Sequence, residues 1–101
     1  MDKDIIVNRI AQLRGRANLS ARKLSGLIDR NDAYITRLES KNDTFEPSIT
    51  TLLQIIEACG STPTEFFYYD ITAYKVDMEI IDLLKSASPK KKQAIIDILN
   101  S

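Results

Sequence analysis

Histidine and tryptophan are missing from this chain, and cysteine occurs once, at Cys59. Without histidine there is no imidazole to act as a general base and no conventional His-containing zinc site. A single thiol cannot close an intrachain disulfide, which points to a reducing cytoplasm, and its place on an apolar helical stripe makes Cys59 a core side chain rather than a nucleophile. The three glycines, Gly15, Gly26 and Gly60, stand alone, so no glycine-rich phosphate loop can be built. Carboxylates are scattered singly. Apolar runs last only a few residues, far short of the ~20 needed to cross a bilayer. The opening Met1-Asp2-Lys3-Asp4 lacks the basic and then apolar order of a secretory signal. These absences predict a soluble cytoplasmic protein that is not an enzyme, needs no cofactor and has no membrane partner.

What is present fits one core with a small appendage. The 101 residues are 44% hydrophobic and 28% charged, the proportions of a globular chain. Fourteen basic and fourteen acidic side chains cancel, which by itself argues against nucleic acid. Their distribution says otherwise. From Arg9 to Lys41 there are eight basic residues (Arg9, Arg14, Arg16, Arg22, Lys23, Arg30, Arg37, Lys41) against three acidic ones (Asp29, Asp32, Glu39). Such an excess is either an ordinary set of solvated helix faces or a phosphate-binding surface.

The same stretch contains a bipartite helical pattern, SARKLSGLIDRNDAYITRLE, from Ser20 to Glu39. Leu24, Leu27 and Ile28 fall at i, i+3 and i+4, and Ile35 and Leu38 repeat the i, i+3 step, so each helix has one face to bury. Asp29-Arg30-Asn31 supplies the break, with Asn31 able to cap a second helix starting near Asp32. This is the layout of a helix-turn-helix reader, whose second helix would turn Asp32, Ala33, Thr36 and Arg37 away from the core. Thr36 can bond a base or touch a thymine methyl, Ala33 offers a methyl, and Arg37 can fork onto guanine or a phosphate. Asp32 can accept from cytosine N4 or serve its own helix N-terminus. Around them, Ser20, Arg22, Lys23, Asn31, Tyr34, Lys41 and Asn42 are placed to meet phosphates, Tyr34 having packing as its alternative role.

The remaining pattern is helical throughout. Ile6, Ile10, Leu13 and Ala17 mark a first helix from about Asp4 to Arg16; Ser48 caps a helix with Leu52, Leu53, Ile56 and Cys59, ended by Gly60. Thr62-Pro63-Thr64-Glu65 is a capping box opening a short helix with Phe66 and Phe67. After a connector from Asp70 to Tyr74, Val76, Ile80, Leu83, Leu84 and Ala87 form one stripe, Ser88-Pro89 starts a new helix, and Ile95, Ile96 and Leu99 form its stripe. A helix pair this small cannot bury its own apolar faces. Ile80, Leu84, Ile95, Ile96 and Leu99 therefore either complete the monomer core or join two copies. Lys90-Lys91-Lys92 opposes the dipole of the last helix and is either a solvated run, a second phosphate contact or a docking site for an acidic partner.

In order and spacing, LSARKLSGLID, NDAYITRLES, EPSITTLLQIIEACG and STPTEFF resemble the Xre-type repressors, the family of the lambda and 434 repressors and SinR, over about residues 5 to 67. The resemblance implies an all-α, five-helix repressor-like helix-turn-helix domain over residues 1–70, to which the two apolar stripes add a C-terminal two-helix hairpin over 71–101. It also implies a homodimeric transcriptional regulator, a repressor, on a double-stranded DNA operator. It carries base contact to Asp32, Ala33, Thr36 and Arg37, and an ion pair to Arg14 and Glu39, which would fix the reader's orientation. Asp29 stands where the family often has a turn glycine, so a left-handed Asp or a slightly altered turn is required there. The competing expectation is a protein-interaction module on the same fold, such as an antitoxin or an anti-repressor partner.

Overall fold

A computed structural model describes residues 2–40 and 44–101. All regular structure among them is helical: α1 (Lys3–Arg16), α2 (Ala21–Leu27), α3 (Tyr34–Leu38), α4 (Ile49–Ala58), α5 (Pro63–Phe66), α6 (Tyr74–Lys85) and α7 (Pro89–Leu99). None of these helices is long and apolar enough to cross a membrane. The chain divides into two compact units, Met1–Tyr68 and Tyr69–Ser101, two residues ahead of the boundary expected from the sequence.

Local chemistry accounts for most helix ends. Asp2, Ser20, Ser48, Thr62 and Ser88 each accept, through the side chain, the backbone N–H three residues on, satisfying one donor that the helix leaves open. Three helices stop on left-handed residues, Asn18 (φ 56°), Asp29 (φ 58°) and Gly60 (φ 74°). Behind each, two N–H groups fold back on the last turn; at α2, Asp29 N donates to Gly26 O and Arg30 N to Ser25 O. Asp29 thus adopts the left-handed conformation. The exceptions are α3 and α6, which start without a side-chain cap bond. α3 begins at Tyr34 rather than near Asp32, because Asn31 Oδ1 accepts from Ala33 N (3.1 Å) and closes an Asx turn instead of capping the helix.

The core of the first unit comprises Ile10 and Leu13 of α1, Leu24 and Ile28 beside α2, Ile35 and Leu38 of α3, Leu52, Ile55 and Ile56 of α4, and Cys59 and Phe66. Leu27, Leu53 and Phe67, expected on buried stripes, are exposed. The reason is angular. In α2 the buried arc runs through Leu24, Ser25 and Ile28, at i, i+1 and i+4, which turns Leu27 outward; in α4 the arc is centred near Leu52, Ile55, Ile56 and Cys59, and Leu53 falls beyond its edge.

Polar ties join distant parts of this unit. Arg9, only 9% exposed, donates from Nη1 to Phe66 O (2.6 Å) and to Tyr68 O. Arg16 holds Glu65 through two bonds of 3.1 and 2.7 Å, and Ser61 Oγ donates to the same carboxylate. Thr62 Oγ1 accepts from Glu65 N as a capping box requires, but the Glu65 carboxylate is engaged by Arg16 and Ser61.

In the second unit, Asp70 Oδ1 accepts from the Thr72 N–H and hydroxyl, and Tyr69 Oη donates to Asp77 Oδ2 at 3.1 Å. Neither α6 nor α7 has a buried residue. Val76, Ile80, Ile81, Leu83, Ile95, Ile96, Ile98 and Leu99 are exposed, and Leu84 is half-buried.

Candidate nucleic-acid interface

Two short helices cannot hold a fixed angle through their own apolar contacts alone. Here a hydroxyl supplies the register. Ser25, fully buried in α2, donates from Oγ to Ala21 O (2.7 Å) and accepts from the backbone N–H of Ile35 in α3 (3.0 Å). The same atom thereby satisfies an N–H of the first turn of α3, which has no side-chain cap of its own. Arg14 supports the other end. Its Nε and Nη2 donate to Glu39 at 2.9 and 3.0 Å, and Nη1 donates to Leu19 O at 3.1 Å, tying α1 to the end of α3 and to the approach to α2. The hydrogen bond to Glu39 raises the Arg14 pKa against the opposing effect of burial.

With Ile35 and Leu38 buried, the opposite side of α3 and the turn before it present Asp32, Ala33, Thr36 and Arg37, all exposed. Asp32 pairs with Arg22 of α2 (Oδ2 to Nε 3.2 Å). Arg37 lies over the Phe45 ring, 4.5 Å from its centroid. Of the expected phosphate contacts, Ser20 spends its side chain on Lys23 N and Asn31 on Ala33 N, while Arg22 and Lys23 are exposed on the rim. Tyr34 is half-buried and its ring meets Phe45 edge-on at 5.1 Å. Lys41 and Asn42 lie outside the described residues.

Arg30 and Phe45 belong to this surface and were not singled out from the sequence. Arg30 stacks on Tyr34 (5.2 Å) and donates to Thr51 Oγ1 (2.9 Å), so the two rings in contact, Tyr34 and Phe45, are flanked by the guanidinium groups of Arg30 and Arg37. The spacing of Tyr34 and Arg37 was the available sign of it, since i and i+3 share a helix face. The basic excess is also redistributed: Arg9 is buried against carbonyls, and Arg14 and Arg16 are spent on Glu39 and Glu65. Among the described residues, positive charge on the outer face rests on Arg22, Lys23, Arg30 and Arg37. Cys59 is buried, and burial pushes its thiol pKa up, away from the thiolate that a nucleophile needs. No protein family, curated protein or solved structure matches the chain.

Proposed function

We propose that the first unit is a repressor-like helix-turn-helix domain that binds double-stranded DNA with sequence preference, and that the chain acts as a homodimeric transcriptional regulator on an inverted-repeat operator. One observation carries this reading: α2 and α3 are fixed to each other by the Ser25 hydroxyl, and the face of α3 opposite Ile35 and Leu38 leaves Thr36 and Arg37 exposed beside Arg22 and Lys23. The homodimer would form through a C-terminal hairpin of α6 and α7, with Ile80, Leu84, Ile95, Ile96 and Leu99 in the interface. Selection of bound duplexes from a random pool tests the reading; an inverted repeat supports it, and a pool without any motif counts against it. Thr36→Ala and Arg37→Ala should then each lose about 1–3 kcal/mol of discrimination while remaining folded. Wild-type sequence preference in both variants would remove α3 from the account.

A second reading, a protein-interaction module, is favoured by the internal use of Arg9, Arg14 and Arg16, which thins the basic surface. A salt titration separates the two. Binding through several phosphates weakens steeply with salt, whereas an apolar partner interface responds little.

A further inference from the structure

A carboxylate on a DNA-facing surface needs a reason to be there, because phosphates repel it. The ordinary reason is service to the helix it precedes. Asp32 makes no cap bond there: α3 has no side-chain cap, and the N–H of Ala33 is taken by Asn31. Its carboxylate turns instead to Arg22, ten residues back on α2, with Oδ2 3.2 Å from Nε. Both side chains are open, 79% exposed for Arg22 and 69% for Asp32. The pair therefore adds little to stability. It does place a carboxylate and a guanidinium side by side at the leading edge of the exposed face that carries Ala33, Thr36 and Arg37.

We propose that Asp32, steered by Arg22, is a base-reading residue that selects cytosine at one position of the DNA half-site. The inference rests on the DNA-binding reading above and deepens it. Of the four bases, cytosine is the one whose major-groove edge offers only a donor, the N4 amino group, and a carboxylate has only acceptors to give. Adenine places an acceptor, N7, beside its donor, and guanine and thymine offer acceptors that repel the carboxylate. Arg22 removes the obstacle. Its Nε engages Oδ2, leaving Oδ1 for the base, while the Nη groups of the same guanidinium can donate to a phosphate. As DNA excludes water from the groove, attraction within the pair strengthens, so the carboxylate enters compensated.

Selection from a random duplex pool, run in parallel with the full-length wild type and with Asp32→Asn, tests this. Asparagine keeps the shape but adds a donor, which suits adenine. The wild-type pool should show a fixed cytosine, and the Asp32→Asn pool should show adenine there with the rest of the half-site unchanged. On the cytosine operator the variant should bind about five- to a hundredfold more weakly. Both proteins should melt alike, since the residue is exposed. Arg22→Ala should weaken binding in the wild type by a larger factor than in the Asp32→Asn background. An unchanged motif with Asp32→Asn, or an even gain in affinity across sequences, overturns the role of Asp32 and leaves the DNA-binding reading standing. A wild-type pool without any motif overturns that reading first, and this inference with it.

Discussion

Arg14 and Glu39 lie 25 residues apart and are only 25% and 17% exposed in their side chains, so each would leave a partly buried charge behind if its partner were removed. Single replacement by alanine should cost roughly 1–3 kcal/mol, and the double replacement should cost less than the sum, read from thermal or denaturant melts. Strict additivity would show that the two side chains do not interact in solution. Cys59 gives a second residue-scale test. Burial favours the neutral thiol, so its folded pKa lies above the ordinary value of 9.0, and the unfolded chain loses that proton first. The sign follows: the thiol's contribution is complete below about pH 9 and is lost as pH rises beyond it toward the folded pKa. The slope is at most about 1.4 kcal/mol per pH unit. Cys59→Ala should lower stability at neutral pH but show a shallower alkaline decline than the wild type. Parallel declines would mean that the thiol is as solvated folded as unfolded.

The connection between α2 and α3 depends on two side chains of different kinds. Ser25→Ala deletes the acceptor of the Ile35 N–H in a fully buried place and should destabilise by about 1–3 kcal/mol, more than the removal of one hydroxyl from a surface would. Asp29 holds φ 58°, so Asp29→Gly should be neutral or stabilising by up to ~1 kcal/mol, while Asp29→Val should destabilise. Equal melts for the glycine and valine variants would mean that the turn does not need the left-handed residue. Much at this scale was legible in the sequence. Leu24, Ile28, Ile35 and Leu38 announce their burial by spacing, Thr62-Pro63 and Ser88-Pro89 announce helix starts, and Gly60 announces a stop. Leu27, Leu53 and Phe67 mislead because apolar residues on a wide arc do not say which edge meets the core. The start of α3 misleads because an Asn side chain serves an Asx turn as readily as a cap. The Arg9 and Arg16 ties span 57 and 49 residues, and no local pattern encodes a contact that distant. Phe45 lies in the loop after α3, outside any helical repeat, so periodicity does not pair it with Tyr34 and Arg37.

At the scale of the whole chain, the two units differ in how they use apolar side chains. The first buries Ile10, Leu13, Leu24, Ile35, Leu38, Ile55, Ile56 and Phe66 almost completely, while α6 and α7 bury none of theirs. Their exposed isoleucines and leucines are the apolar surface that an interface between copies would cover. A reader helix touches only a few base pairs, so useful affinity calls for two readers held about one DNA turn, roughly 34 Å, apart. The second unit is the available surface for setting that distance. A chain ending after Asp70 should therefore remain folded, because its core side chains are its own, but should sediment as a monomer and bind the selected operator much more weakly than the full chain. Its helical circular dichroism and melting establish the fold, and sedimentation establishes the mass. A folded truncate that dimerises as tightly as the full chain would take α6 and α7 out of this role. A truncate that fails to fold would instead assign their apolar faces to the stability of the monomer, and substitution of Ile80 and Ile96 by glutamate in the full chain would then separate pairing from folding, since loss of the dimer with an unchanged melt of the first unit requires an interface between copies.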